Sequence, residues 1–164
     1  INMVKQNPWQ NLNLPRANVF LSNQPEWLQN VRQTTQYLEQ TVPVDQTFLA
    51  MPYDPLYYFL TGKKSPSRQL IFFEHINIPM EQEQDVIQEM EKNNVQYVLI
   101  SNRSIVPGNG LGILGETYCP LLGKYIGENY DIVQNFGPWQ PPYGDGWAWD
   151  HSVRILKRVK QLIQ

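Results

Sequence analysis

Hydrophobic and polar positions along the chain alternate between helical and extended spacing. Residues 1–22 form an amide-rich, irregular lead-in with Pro8 and Pro15 and one short strand, Asn18 to Leu21. Trp27, Val31 and Leu38 then recur at helical spacing. Asn23 is placed to cap that helix, Pro25 sits near its first position, and Pro43 ends it. Thr47 to Met51 reads as a strand. Pro52-Tyr53-Asp54-Pro55 breaks it and opens a short apolar helix, Leu56 to Thr61, stopped by Gly62.

A second strand is expected over Gln69 to Phe73. Residues 81–93 form an acidic amphipathic helix with Val86, Ile87 and Met90 inward, and Glu81, Glu83 and Asp85 suit its N-terminal dipole. Val95 to Ser101 is the third strand. A helix over about 116–128 turns Leu121, Leu122, Tyr125 and Ile126 inward. Tyr130 to Phe136 and Ser152 to Arg158 complete the strands. Strands alternating with helices imply an α/β fold of three layers, a mainly parallel sheet with helices on both faces. The last two strands lack an intervening helix and are expected to pair antiparallel. No repeat or internal boundary divides 23–164, which reads as a single α/β domain behind the lead-in.

Composition narrows the class without naming an activity. The 164 residues carry a formal net charge of −2, against the basic excess of nucleic-acid-binding proteins, so no nucleic-acid partner is expected. Asn and Gln together number 31 and all charged side chains 28, so the surface is polar but weakly charged. The lone cysteine, Cys119, excludes an internal disulfide and a cysteine-based zinc site. No apolar run approaches the ~20 residues of a membrane span. The first residue is Ile and no signal peptide is evident, which reads as a piece of a longer or processed chain.

Candidate chemistry gathers in four places. Gly110, Gly112 and Gly115 spell G-x-G-x-x-G, but about eight loop residues separate them from the preceding strand, and they follow the third strand rather than the first. A Gly-rich surface loop is the plainer reading. Asp54, Glu74 and His75 each follow an expected parallel strand, where ligands of open α/β sheets collect, and could perform acid–base chemistry. Asp54 before Pro55 equally fits a helix N-cap. The third place is the connection 137–151, which is long for a hairpin and holds three of the five tryptophans. Trp139, Tyr143, Asp145, Trp147, Trp149, Asp150 and His151 combine flat rings with carboxylates, a pairing suited to glycan or acceptor recognition. The bland alternative is a lid over the sheet edge. Fourth, Lys63, Lys64 and Arg68, and then Arg154, Lys157, Arg158 and Lys160, form basic groups suited either to an anionic membrane surface or to a solvated edge. No P-loop, H-E-x-x-H or G-x-S-x-G is present, and His75 and His151 are the only histidines, so no cofactor and no metal are expected.

Taken in order, these features resemble a known family. The stretch from Pro43 through Pro52-Tyr53-Asp54-Pro55-Leu56-Tyr57-Tyr58-Phe59-Leu60-Thr61-Gly62-Lys63-Lys64-Ser65-Pro66-Ser67-Arg68 is followed by an acidic helix and by Val95-Gln96-Tyr97-Val98-Leu99-Ile100. Tyr130-Asp131-Ile132-Val133-Gln134-Asn135-Phe136-Gly137 and a strand ending Leu156-Lys157-Arg158 close the pattern. Over about residues 24–158 this resembles the extracytoplasmic C-terminal domain of bacterial multi-spanning glycosyltransferases of the dolichyl-phosphate-mannose protein mannosyltransferase type. The resemblance implies a parent enzyme using a polyprenyl-phosphate-linked sugar at the extracytoplasmic (periplasmic) face of the cytoplasmic membrane. It implies a non-catalytic domain partnered by the membrane-embedded part of the parent chain, and by lipid-linked sugar or glycan acceptor. Such enzymes keep their catalytic groups between membrane helices, so no catalytic residue carries over. Trp147-Ala148-Trp149-Asp150 resembles in part the Trp-Trp-Asp motif of oligosaccharyltransferases, without its second adjacent Trp and following Tyr-Gly.

Overall fold

Four strands whose side chains alternate between two apolar surfaces set the architecture. The structure, a computed structural model, describes residues 10–21, 24–105, 112–139 and 151–159. Strands β1 (Gln10–Asn11) and β2 (Phe20–Leu21) form a small antiparallel pair ahead of helix α1 (Pro25–Thr41). Strand β3 (Phe48–Met51), helix α2 (Leu56–Thr61), a 3-10 turn (Glu74–Ile76), helix α3 (Met80–Lys92) and strand β4 (Tyr97–Ser101) follow. A second 3-10 turn (Asn102–Ile105), helix α4 (Pro120–Asn129) and strands β5 (Tyr130–Phe136) and β6 (Val153–Arg158) complete the chain. No helix among the described residues is long and apolar enough to cross a membrane.

The α/β class and the helices on both faces are as expected; the strand directions need correcting. The sheet order is β3-β4-β6-β5, with β3 and β4 parallel and β6 antiparallel to both of its neighbours. The sheet is therefore mixed rather than mainly parallel. The antiparallel pairing of the last two strands is present, but β6 also inserts beside β4. Residues 69–73, expected as a parallel strand, form no ladder. Serine side chains capture backbone N–H groups there instead: Ser67 donates its N–H to Ser65 Oγ, and Gln69 donates its N–H to Ser67 Oγ. One backbone bond, from Phe72 N–H to the Pro52 carbonyl (2.7 Å), fastens the segment beyond the end of β3.

Strand alternation divides the core in two. Phe48, Ala50, Tyr97, Leu99, Val153 and Ile155 face α1 and α2, packing with Leu28, Val31, Leu38, Tyr57 and Leu60. Leu49, Met51, Val98 and Leu156 face α3 and α4, packing with Val86, Met90, Leu122 and Ile126. Each fully buried side chain of this kind contributes about 1.5–3 kcal/mol of transfer free energy. Gly62 closes α2 in the left-handed region (φ 69°), as its position after the apolar run implied. Tyr58 folds back under the sheet, where its Oη accepts the Ala50 N–H at 2.8 Å.

Helix α4 is held by two contacts that hydrophobic periodicity does not reveal. Glu83 on α3 is 1% exposed, and its Oε2 accepts the Leu122 N–H at 2.8 Å. A carboxylate from a neighbouring helix thus satisfies an orphan donor in the first turn of α4. Gly115, the last glycine of the Gly-rich stretch, adopts φ +83° and lies against Gly123; a Cβ on Gly123 would stand 2.5 Å from the Gly115 Cα. That glycine therefore serves close packing of loop on helix.

Two measurements follow from this packing. Gly123→Ala is expected to lower stability by about 1–3 kcal/mol through overpacking against backbone. Gly127→Ala, in the same helix with open space around it, should instead raise stability by about 0.5–1 kcal/mol. Urea unfolding of the two variants gives opposite signs; equal effects would refute the close approach. Alkaline stability supplies the second. Burial, reinforced by Glu83, pushes the Cys119 thiol from 9.0 up to about 12, and burial pushes the Tyr58 phenol from 10.0 up to about 12. The folded state favours the protonated forms, so this stabilisation is complete below pH 9. It is lost as pH rises from about 9 to about 12. The urea midpoint should fall across that window, and less steeply in Cys119→Ala.

Candidate functional site

The carboxyl ends of the parallel pair β3 and β4 carry a buried polar cluster instead of an open cleft. Asp54 lies three residues past β3 and is 3% exposed. Its Oδ1 receives Arg103 Nη1 at 2.8 Å, and its Oδ2 receives the Ser101 hydroxyl at 2.6 Å. Arg103, in the turn that follows β4, also donates to the Tyr53 carbonyl at 3.0 Å. A buried carboxylate is stable when ionic and hydrogen-bonding partners take both of its oxygens, and here they do. Asp54 does not cap α2 with its side chain: the Tyr57 N–H bonds the Asp54 main-chain carbonyl at 3.3 Å. The acid instead joins the exit of β3 to the exit of β4.

From that joint α2 carries Tyr57, fully buried, toward the other end of the chain. Tyr57 Oη and His151 Nε2 are 2.9 Å apart, with the rings stacked at 6.3 Å between centroids. Burial raises the Tyr57 phenol well above its usual range, and the nearby Asp54 charge raises it further. Tyr57 is therefore a neutral phenol. Trp27 flanks the same imidazole at 6.4 Å.

Both stems of the connection 137–151 meet at Asn30 of α1. Asn30 Nδ2 donates to the His151 carbonyl at 2.7 Å, and a Cβ on Gly137 would fall 2.5 Å from that same nitrogen. Gly137 also has φ +79°, so glycine is required there on two grounds. Just past β4, Asn102 exchanges two bonds with Ser152, one to its carbonyl (2.9 Å) and one from its N–H (3.1 Å).

The expected site residues divide accordingly. His151 is 1% exposed, so its ring is built into the stem. Trp139 is half-buried under the Arg154 guanidinium, 4.2 Å from the ring centroid. Tyr143, Asp145, Trp147, Trp149 and Asp150 lie outside the described residues. Glu74 and His75 are exposed on the first 3-10 turn, and among the described residues no hydrogen bond or ion pair joins either of them to Asp54. Gly112 packs against Glu74 and Thr117, while Gly110 lies outside the described residues.

The basic groups divide: Lys64, Arg68 and Lys157 are exposed, and others are engaged within the fold. Arg158 lies over the rings of Tyr125 and Tyr130, Lys157 over Tyr97, and Lys63 donates to the Pro43 and Gln46 carbonyls. Ser101, Arg103, Tyr57 and Asn30 were not singled out from sequence. One signal was available: Asp54 and Arg103 are opposite charges just beyond two apolar strands, a place where a buried pair can form.

No family model and no curated protein sequence matches the chain. Among solved structures, the crystal structure of the C-terminal globular domain of an oligosaccharyltransferase from Archaeoglobus fulgidus is similar at a TM-score of 0.43. It is 13% identical, and the match covers 84% of this chain and 99% of that one.

The clamp has a measurable signature. Arg103→Met leaves the Asp54 carboxylate buried and unpaired and is expected to cost about 3–5 kcal/mol. Combining it with Asp54→Leu should cost clearly less than the sum of the single changes, because the stranded charge is then gone. Additive losses in urea unfolding would show that the pair does not act as a unit.

Proposed function

We propose that this chain is a non-catalytic extracytoplasmic domain of a membrane glycosyltransferase that uses a polyprenyl-phosphate-linked sugar. In this reading the domain sits against the membrane-embedded part of the parent chain, at the periplasmic face, and covers the active site or meets the glycan acceptor. The order of motifs from Pro43 to Arg158 supports the assignment to that kind of parent. The observation that carries the non-catalytic part is the state of Asp54. It is the acid of the most distinctive stretch in the resemblance, and both of its oxygens are committed to Ser101 and Arg103. That stretch marks the frame of the domain and leaves chemistry to the membrane-embedded segments.

The contact with glycan or acceptor is assigned to the connection that follows Gly137. Trp139, Tyr143, Trp147 and Trp149 offer flat faces for the C–H side of a sugar, and Asp145 and Asp150 offer acceptors for its hydroxyls. Fastening of both stems at Asn30 and His151 supports a positioned platform, since a held loop loses less conformational entropy on binding.

Two tests address the two parts. A reading frame that extends upstream of Ile1 through several apolar segments of about 20 residues supports the parent assignment, and a start codon directly before Ile1 overturns it. Oligosaccharide titration of the chain, followed by tryptophan fluorescence, should show a saturable change that Trp147→Ala weakens about tenfold or more. Unchanged affinity in Trp147→Ala would remove the assignment to that connection.

A further inference from the structure

A shallow groove of about 420 Å³ runs between α1 and the edge strand β5, within the range of small-ligand sites. One wall is made by Gln33, Gln36 and Gln40, which recur every three to four residues and so share a face of α1. Gln134 of β5 forms the other wall. Tyr37 and Phe136 meet edge-to-face beneath them, with ring centroids 5.7 Å apart and planes at 64°. Among the described residues, no charged side chain lines this groove. The grooves beside α3 and beside Lys63 differ in this respect: the first includes Arg68, Glu81 and Asp85, and the second Asp45, Lys63 and Lys64.

That lining selects a ligand by chemistry. An amide places an acceptor and two donors side by side, and neighbouring sugar hydroxyls, which both donate and accept, match that arrangement. Asn135 takes no part: it stands on the opposite face of β5 from Gln134 and Phe136, where its Oδ1 accepts from Arg154 Nε at 3.2 Å. Aromatic rings below an amide rim suit the C–H face of a pyranose. An extended peptide is disfavoured. The register shift between Ile132 and Gln134 is a bulge, and bulges twist an edge away from regular strand addition.

We propose that the groove between α1 and β5 is a binding site for a neutral oligosaccharide, held by the amides of Gln36 and Gln134 over the Tyr37–Phe136 floor. It uses none of the residues 140–150, so it stands or falls apart from the tryptophan-bearing connection.

The test is an NMR titration of the 164-residue chain with mannobiose, cellobiose and N,N′-diacetylchitobiose, reading side-chain amide resonances. At least one probe should produce saturating shifts at Gln36 and Gln134. The double variant Gln36→Ala/Gln134→Ala, which removes two hydrogen-bonding groups, should weaken that binding about tenfold or more, and Trp147→Ala should leave it intact. Gln36→Glu keeps the side-chain length, adds a charge at an exposed position, and should weaken binding as well. No saturating shift with any of the three probes overturns the proposal. So does affinity unchanged in the double variant and in Gln36→Glu, binding lost in Trp147→Ala but kept in the double variant, or saturation by a neutral extended peptide in place of the sugars.

Discussion

One buried carboxylate organises the end of the sheet on which every later feature is mounted. Asp54 is out of water, and an isolated charge there would cost several kcal/mol. Its partners must therefore come to it. Ser101 ends β4 and Arg103 lies in the turn after it, so satisfying Asp54 brings the exits of the two parallel strands together. The same requirement places α2, which begins two residues after Asp54 and whose buried Tyr57 reaches His151. His151 then locates the second stem of the long connection, and Asn30 locks that stem beside the first. Desolvation of one acid is the first link in this sequence of placements.

Glu83 repeats the logic on the opposite face. It too is a buried acid, and its partner is the unsatisfied backbone N–H of Leu122 in the first turn of α4 rather than a cation. The two carboxylates contrast with the exposed Lys124–Glu128 pair, 3.9 Å apart, which contributes a few tenths of a kcal/mol at most. Where charge is buried in this chain it sets geometry. On the surface it does little to stability.

Periodicity made the elements legible and left the site obscure. Tyr130 to Phe136 is a strand with the bounds its pattern implied, and Val86, Ile87 and Met90 do pack inward from α3. Apolar spacing reports only which residues seek the core, so it could not show that Phe72 is buried in a loop, that β6 inserts beside β4, or that Glu83 is buried. LIFF at 70–73 misled because its apolar content was strand-like while Ser65 and Ser67 were already bonded to nearby backbone N–H groups. The polar cluster was hidden for a related reason. Asp54, Arg103 and His151 are types expected at the surface, and their burial depends on one another across 48 to 97 residues of chain separation, which no local window detects.

The high amide content takes on a more specific meaning once the charges have been located. Arg103, Arg154, Arg158, Lys157 and Lys63 engage rings, carbonyls or Asp54 within the fold, and with a formal net charge of −2 the chain generates little net outward field. Long-range steering needs such a field and falls away with salt over about 10 Å. Exposed Gln and Asn side chains recognise at contact range, through the direction of individual donors and acceptors. Such recognition is weak per bond and depends on groups being held in register beforehand. Helix α1 meets that requirement. Its inner face, through Leu28, Val31 and Leu38, is fixed against the sheet, so the outer glutamines stand on a backbone that the core has already ordered.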